Sequence, residues 1–158
     1  MAKLLVIDDD LNLRDLFKAS FNTFEVLFAP TIDDAIRILK KDTPEVVIVD
    51  RYMQGAEGGI QLVAEGEVGD ASCVLLTASR VSPEFRADML GLGFLYVLEK
   101  PFSVPEMRAV VNRAMSHWTT KKCCATNFKA KTSILSFNQS SLDKLRNAAA
   151  AFKMAVGG

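Results

Sequence analysis

The sequence has few cysteines, no long apolar run and no net charge excess. Its three cysteines, an odd number with an adjacent pair at Cys123 and Cys124, supply no disulfide framework and are typical of reduced, intracellular thiols. Zinc is not favoured, because only His117 lies near this pair and a fourth ligand is missing. No apolar run approaches the ~18–20 residues of a membrane span, and the N-terminus leads into a predicted strand rather than a signal peptide. These absences predict a cytoplasmic protein without a membrane segment.

Charge is unevenly distributed along the chain, although the formal net charge is zero. Residues 1–118 contain 12 Lys and Arg against 18 Asp and Glu, whereas residues 119–158 contain seven against one. The chain of 158 residues, nearly half of them apolar, suffices for one domain of ordinary size with some residues to spare. We therefore expect an acidic folded domain followed by a basic tail.

Five short apolar runs alternate with amphipathic segments in the first part of the chain. The predicted strands occupy residues 4–7, 24–29, 46–50, 73–77 and 94–98. Predicted helices cover about residues 11–22, 31–39 and 58–65, with two more after Ser82-Pro83 and from Ser103. This alternation predicts an α/β fold with a doubly wound, five-stranded parallel sheet and helices on both faces. Right-handed crossovers would place all strand carboxyl ends at one edge.

Polar residues follow the apolar strands at that edge. A single acid at a strand end is most often a turn residue. Here, however, one edge is predicted to receive five polar side chains, namely Asp8, Asp9, Asp50, Thr77 and Lys100. Three carboxylates brought together repel one another, so a proton or cation must offset their charge. Because Mg2+ prefers oxygen ligands and binds through one or two carboxylates and waters, it suits this group.

These residue types are sufficient for phosphoryl transfer, which needs mainly positioning and charge stabilisation. An aspartate carboxylate such as Asp50 can act as the nucleophile and form an acyl phosphate. Lys100 would supply a compact positive charge to one phosphate oxygen, and Thr77 would donate a hydroxyl to another. The pattern therefore indicates an aspartate-based phosphoryl acceptor.

Four segments together resemble the receiver domain of response regulators, the acceptor module of two-component signalling. They are LVIDDD at residues 5–10, VIVD at 47–50, LLTA at 75–78 and EKPF at 99–102. The resemblance covers residues 1 to about 117 and implies the flavodoxin-like strand order 2-1-3-4-5. It also implies a cis peptide bond before Pro101.

The resemblance further implies a role for each residue at the predicted edge. Asp50 would accept a phosphoryl group from a histidine kinase or a phosphotransfer protein and thereby switch a partner or output interaction. Asp9, Asp50 and the backbone carbonyl of Tyr52 would bind Mg2+ directly, while Asp8 would assist through water. Thr77 and Lys100 would contact the phosphate. The domain would carry out only its own phosphorylation and dephosphorylation and would not be an enzyme in the usual sense.

The sequence departs from the usual receiver pattern in three places. Val97 stands where an aromatic switch residue is usual, and Tyr96 cannot replace it because neighbouring strand residues face opposite ways. Switching is therefore predicted to run through Thr77 and residues 78–83. Gln54 replaces a common proline, and the third helix looks short. Asp10 is interpreted as a first-turn acid of the first helix, not as a ligand.

The remaining segment divides into a basic linker at residues 119–139 and a predicted helix at residues 140–156. Apolar residues recur in the latter at intervals of three and four, namely Leu142, Leu145, Ala149, Phe152 and Val156. We predict that this C-terminal helical tail packs on a receiver, its own or that of a partner within a homodimer. Direct nucleic-acid binding is not expected, because the tail has no helix suited to reading bases.

Two alternatives to a phosphorylated receiver remain open. One is a degenerate receiver that serves only as an interaction scaffold. The other is an aspartate-nucleophile phosphatase, although Tyr52 stands where such an enzyme needs its second acid. The downstream partner, and whether an output domain is missing from this sequence, stay open as well.

Overall fold

A computed structural model describes residues 1–53 and 58–125 of the chain. The chain divides into two compact units, Met1–Thr119 and Thr120–Gly158. The elements, in order, are β1 Ala2–Ile7, α1 Leu11–Ser20, β2 Phe24–Ala29, α2 Ile32–Leu39, β3 Val46–Asp50, α3 Gly58–Ala64, β4 Ser72–Thr77, α4 Pro83–Gly91 and β5 Phe94–Glu99. Residues 104–125 are helical and are called α5. Within these described ranges, no helix combines the length and apolar character needed to cross a membrane.

The five strands form one parallel sheet in the order β2-β1-β3-β4-β5. This order confirms the predicted doubly wound, flavodoxin-like sheet. The order reverses between β1 and β3, and in such sheets ligands bind outside the strand carboxyl ends near the reversal. The register pairs Ile7 with Val49 and Asp50 with Leu76, so the strands end at nearly the same level.

Each face of the sheet is covered by its own hydrophobic core. In β3, Val47 and Val49 belong to the core that α2, α3 and α4 cover, whereas Val46 and Ile48 belong to the core that α1 and α5 cover. All four are almost completely buried. Alternating side chains that are buried on both faces explain why β3 is a continuous apolar run. Each such side chain contributes roughly 1.5–3 kcal/mol.

Side-chain caps fix where the helices begin. Thr31 Oγ1 accepts a hydrogen bond from the backbone N–H of Asp34 at 3.0 Å, and Ser82 Oγ accepts one from Phe85 at 3.1 Å. Each cap contributes about 1 kcal/mol. Asp10 was interpreted as a first-turn acid, but it is the N-cap of α1, since its carboxylate accepts from the N–H of Asn12. The helix begins at Leu11, as predicted, so Asp10 lies just before its first turn.

Predictions for the tail fall mainly outside the described residues. The predicted linker begins at residue 119, and its first seven residues, 119–125, are helical. The rest of that linker and the predicted helix at 140–156 lie outside the described residues, as does Gln54. His117 lies inside α5, with its Nδ1 3.3 Å from Ser72 Oγ. His117 therefore lies within a helix and not at its end.

Candidate functional site

The parallel register brings the carboxyl ends of four strands together. Asp50 is the last residue of β3 and Thr77 the last of β4, while Asp8 and Lys100 directly follow β1 and β5. Backbone hydrogen bonds fix these ends to one another, since the N–H of Lys100 donates to the carbonyl of Thr77 at 2.7 Å. The peptide bond between Lys100 and Pro101 is cis, as the resemblance implied. Residues far apart in the chain therefore meet at one edge.

Three carboxylates cluster at this edge. One oxygen each from Asp8, Asp9 and Asp50 lies within 4.8 Å of the others. Asp8 and Asp50 are buried, and Asp9 is exposed. Three oxygen-donor side chains at this separation fit a hard divalent cation such as Mg2+.

Lys100 lies between the two buried carboxylates. Its Nζ donates to Asp8 Oδ2 and to Asp50 Oδ1, each at 2.9 Å. Burial alone lowers the pKa of Lys100, but the hydrogen bonds from its ammonium to Asp50 and Asp8 outweigh burial and raise this pKa above its ordinary value. Lys100 therefore stays protonated at neutral pH and offsets part of the repulsion between the acids.

Burial dominates the pKa of Asp8, because it is the most deeply buried of the three acids. Burial raises its pKa above the ordinary value, and this effect exceeds the opposing hydrogen bonds from the Asp10 N–H and from Lys100. Because ionisation of this buried carboxyl group is unfavourable, a cation that compensates its negative charge binds favourably. The electrostatics at Asp8 thus favour a cation beside it.

Thr77 and Tyr52 are the other two residues that the sequence placed at this edge. Thr77 is fully buried, and its Oγ1 accepts a hydrogen bond from the N–H of Ser79 at 3.1 Å. A hydroxyl that accepts one bond can still donate another. Tyr52 follows β3 and is 46% exposed, with its ring under the guanidinium of Arg51. Met53, the next residue, is buried in the core and anchors the chain just after Tyr52.

Two neighbouring glycines at the start of α3 differ sharply in their surroundings. A Cβ on Gly59 would lie 2.3 Å from Val49 Cγ1 and 2.5 Å from the backbone oxygen of Asp50. A Cβ on Gly58 would meet only the side chain of Ile32, at 3.2 Å. Gly59 therefore lets α3 pack directly against the backbone of Asp50. The sequence reasoning missed this role, although the Gly-Gly pair was a visible signal.

The tertiary structure also separates Tyr96 from Val97. Val97 is buried in the core on the α4 side, whereas Tyr96 packs against the core on the α1 and α5 side. The opposite orientation predicted for these neighbours is confirmed. Sequence reasoning missed the contact of Arg51 with Phe85, whose ring centroid is 4.5 Å from the guanidinium carbon. No sequence spacing indicates this contact, because 34 residues separate the two positions.

Comparison with known proteins identifies the family. The model of the response regulator receiver domain matches residues 4–112. Response regulator MprA of Mycolicibacterium vanbaalenii is 30% identical over 143 residues, covering 89% of this chain and 60% of that protein. Regulatory protein VirG of Agrobacterium tumefaciens is 27% identical over 115 residues, covering 71% and 43%. The chain thus spans about half the length of the curated relatives it matches.

A solved structure shows the same fold. The receiver domain of the Francisella response regulator 1452 aligns with a TM-score of 0.65 and 25% identity, covering 74% of this chain and 98% of that domain. The family match covers more than half of the chain and includes all four strand ends at the acidic edge. This protein therefore belongs to the response regulator receiver domain family, whose members are signalling domains of two-component systems.

Proposed function

We propose that this receiver accepts one phosphoryl group on Asp50 from a histidine kinase or phosphotransfer protein and so switches a downstream interaction. In this proposal the receiver occupies residues 1–118, followed by a basic linker at 119–139 and a helix at 140–156. Asp50 is the acceptor, and Thr77 and Lys100 contact the phosphoryl oxygens. The downstream element is a protein partner or an output domain outside this sequence.

One observation carries the proposal: the Lys100 ammonium lies 2.9 Å from both Asp8 and Asp50 inside a cluster of three carboxylates. A scaffold that needs only stability gains little from burying two acids beside one lysine. A phosphoryl acceptor, by contrast, needs a nucleophilic carboxylate next to positive charge. The arrangement therefore supports chemistry at Asp50.

The transfer itself is a simple exchange of bonds. A carboxylate oxygen of Asp50 forms a bond to phosphorus as the bond from phosphorus to the donor's histidine nitrogen breaks. The electron pair of that broken bond stays on the imidazole nitrogen. Lys100 keeps a positive charge beside the oxygens throughout, and Thr77 can donate its hydroxyl hydrogen to one of them. The buried sheet edge holds these groups in place before the donor arrives.

Magnesium fits the residues present at this edge. Asp8, Asp9, Asp50 and the Tyr52 carbonyl would hold it, and all of these ligands are oxygen donors. When bound, the ion would neutralise charge on the phosphoryl oxygens. The chain's own contribution is to keep the acids together against their mutual repulsion.

The test is to incubate the full chain with a small phosphodonor and Mg2+ and to measure intact mass. We expect the gain of one phosphoryl group, which Asp50→Asn and chelation of the metal should both abolish. Asp10→Asn is the matched control, because asparagine also caps helices and Asp10 lies outside the carboxylate cluster. Equal labelling of Asp50→Asn and the wild-type chain would refute the assignment.

The same experiment separates the two alternatives. A degenerate scaffold would take up no phosphoryl group under any condition. A phosphatase would release phosphate in many cycles from a stable phosphate ester, whereas a receiver consumes the donor only as fast as its own acyl phosphate turns over. Measuring released phosphate alongside mass therefore tests all three functions together.

A further inference from the structure

Arg51 connects the strand that ends at Asp50 with helix α4. Its guanidinium carbon lies 4.8 Å from the ring centroid of Tyr52 and 4.5 Å from that of Phe85. Both distances are within the ~6 Å at which a cation is attracted to an aromatic face. One charged group is therefore held between two rings that belong to different elements, and Phe85 lies in the first turn of α4.

The backbone of Arg51 is firmly placed. Its N–H donates to the carbonyl of Leu76 at 2.8 Å, which extends the pairing of β3 with β4 by one residue. Arg51 also follows Asp50 directly in the chain. Its guanidinium therefore reaches α4 from a backbone that is fixed beside the proposed phosphorylation site.

A side-chain hydrogen bond joins the start of α4 to strand β5. Val97, the residue at the position usual for an aromatic switch, is buried and makes its connection through its backbone carbonyl, which accepts from Arg86 Nη1 at 3.3 Å. On this side of the sheet, Phe94 of β5 is buried in the core, whereas Phe85 of α4 is only partly buried and contacts Arg51. The contact of Arg51 with Phe85 thus lies where a coupling element is needed.

We infer that Arg51 couples the state of Asp50 to the position of α4, an inference that rests on the proposed function. In the unmodified protein the guanidinium stays between the rings and holds the first turn of α4. A phosphoryl group on Asp50 adds negative charge beside Arg51, and a guanidinium binds phosphate oxygens well. The rings and the phosphoryl group then compete for one cation, so phosphorylation loosens the contact with Phe85.

This competition links the two sites thermodynamically. If phosphorylation changes the equilibrium constant for loosening α4 by some factor, a partner that loosens α4 changes the equilibrium constant for phosphorylation by the same factor. A cation–ring contact of this exposure corresponds to about a two- to fivefold change in an equilibrium constant. The coupling is therefore modest but measurable.

The experiment measures amide hydrogen exchange in the full chain, with and without Mg2+ and beryllofluoride as a phosphoryl mimic. The Arg86 amide reports on α4, since it donates to the carbonyl of Ser82, and the Ser79 amide reports on the site, since it donates to Thr77. In the wild-type chain we expect the mimic to speed exchange at Arg86 by about two- to fivefold. In Phe85→Leu exchange at Arg86 should already be faster without the mimic and should change little when it is added.

Two further variants keep the test sharp. Arg51→Lys preserves the charge but loses the planar stacking group, so it should behave as Phe85→Leu does. Phe28→Leu removes an equally half-buried ring on β2, away from Arg51, and should respond as the wild-type chain does. Asp50 should still accept a phosphoryl group in all three variants.

The possible failures are distinguishable. If the mimic changes exchange at Ser79 but not at Arg86, or if Phe85→Leu and Arg51→Lys both match the wild-type chain, the coupling by Arg51 is refuted while phosphorylation stands. If the mimic changes neither amide and Asp50→Asn behaves identically to the wild-type chain, the proposed function fails and the coupling fails with it.

Discussion

Strand β1 has a lysine with two carboxylates near each of its ends, and the two groups differ in burial. Near the start, the Lys3 ammonium contacts Asp42 and lies 3.8 Å from Glu25. Past the end, the Lys100 ammonium lies 2.9 Å from Asp8 and from Asp50. The carboxylate side chains are 28% and 51% exposed in the first group but only 1% and 11% exposed in the second.

This difference in burial separates a surface ion pair from a functional site. Exposed pairs contribute little to stability because water and salt screen them. Buried charges lose hydration, and their attraction repays this loss only in part. The group around Lys100 is therefore poorly explained by stability, whereas acids held together beside a cation are what phosphoryl acceptance requires. The two groups should therefore respond differently to mutation, pH and salt.

Removing the two lysines should have very different consequences. Lys100→Met leaves Asp8 and Asp50 buried without their cation, and it should lower the free energy of unfolding by about 2–4 kcal/mol in metal-free buffer. Lys3→Met is the matched control at the other end of β1 and should have a much smaller effect. Urea denaturation measures both. Adding Asp8→Asn to Lys100→Met should restore part of the loss, and equal losses in the two single variants would contradict the contrast.

The stability of the protein should also be sensitive to substitutions that press against the backbone of Asp50. Gly59→Ala places a methyl group against Val49 and the Asp50 carbonyl, so it should destabilise the protein by about 1–3 kcal/mol and slow phosphorylation of Asp50. Gly58→Ala needs only a small shift of Ile32, and the better helix propensity of alanine offsets that shift. Denaturation and the rate of labelling should therefore separate the pair. Similar behaviour of both variants would show that α3 can move away without affecting Asp50.

The raised pKa of Asp8 predicts a pH dependence of known sign. Below its ordinary pKa of 3.8, Asp8 is protonated in both the folded and the unfolded chain. As pH rises, Asp8 ionises in the unfolded chain before it ionises in the folded chain. The stability that Asp8 contributes is therefore lost as pH rises through its raised pKa in the folded chain. In metal-free buffer, the wild-type chain should therefore lose stability relative to Asp8→Asn as pH rises from 4.

Thermal denaturation of both chains across this pH range measures the difference. Glu106 offers an internal comparison of opposite sign, because hydrogen bonds from the Ser103 N–H and hydroxyl lower its pKa. The stability that Glu106 contributes is present at neutral pH and is lost as pH falls through its lowered pKa in the folded chain. A constant difference between wild type and Asp8→Asn would show that Asp8 is not held at a raised pKa.

Salt should give the smallest effect and the sharpest qualitative contrast. Raising ionic strength from about 0.1 M to 1 M shortens the screening length from about 10 Å to 3 Å. The stability difference between wild type and Lys3→Met should then vanish, whereas that between wild type and Lys100→Met should largely persist, because the buried pair is shielded from the added ions. Denaturation curves at the two salt concentrations measure this. If salt reduced both stability differences equally, the acidic edge would be as accessible to solvent as the surface.

Much of the acidic edge could be predicted because strand ends are local features. Asp50 follows a run of β-branched residues, and in a parallel sheet such ends must meet at one edge. The same logic placed Thr77 and Lys100. It could not predict that Lys100 lies between Asp8 and Asp50, since this depends on the position of β5 relative to β1 and on side-chain rotamers.

The sequence is sufficient to predict the alternation of strands and helices, the parallel sheet and the set of polar strand ends, because periodicity and turn chemistry act over a few residues. The tertiary structure determines which contacts cross between elements. It buried Asp8 more deeply than Asp9, it pressed Gly59 against the Asp50 carbonyl, and it joined Arg51 to Phe85. These contacts depend on how helices pack on the sheet, so their partners lie far apart in the chain and leave no local pattern to read.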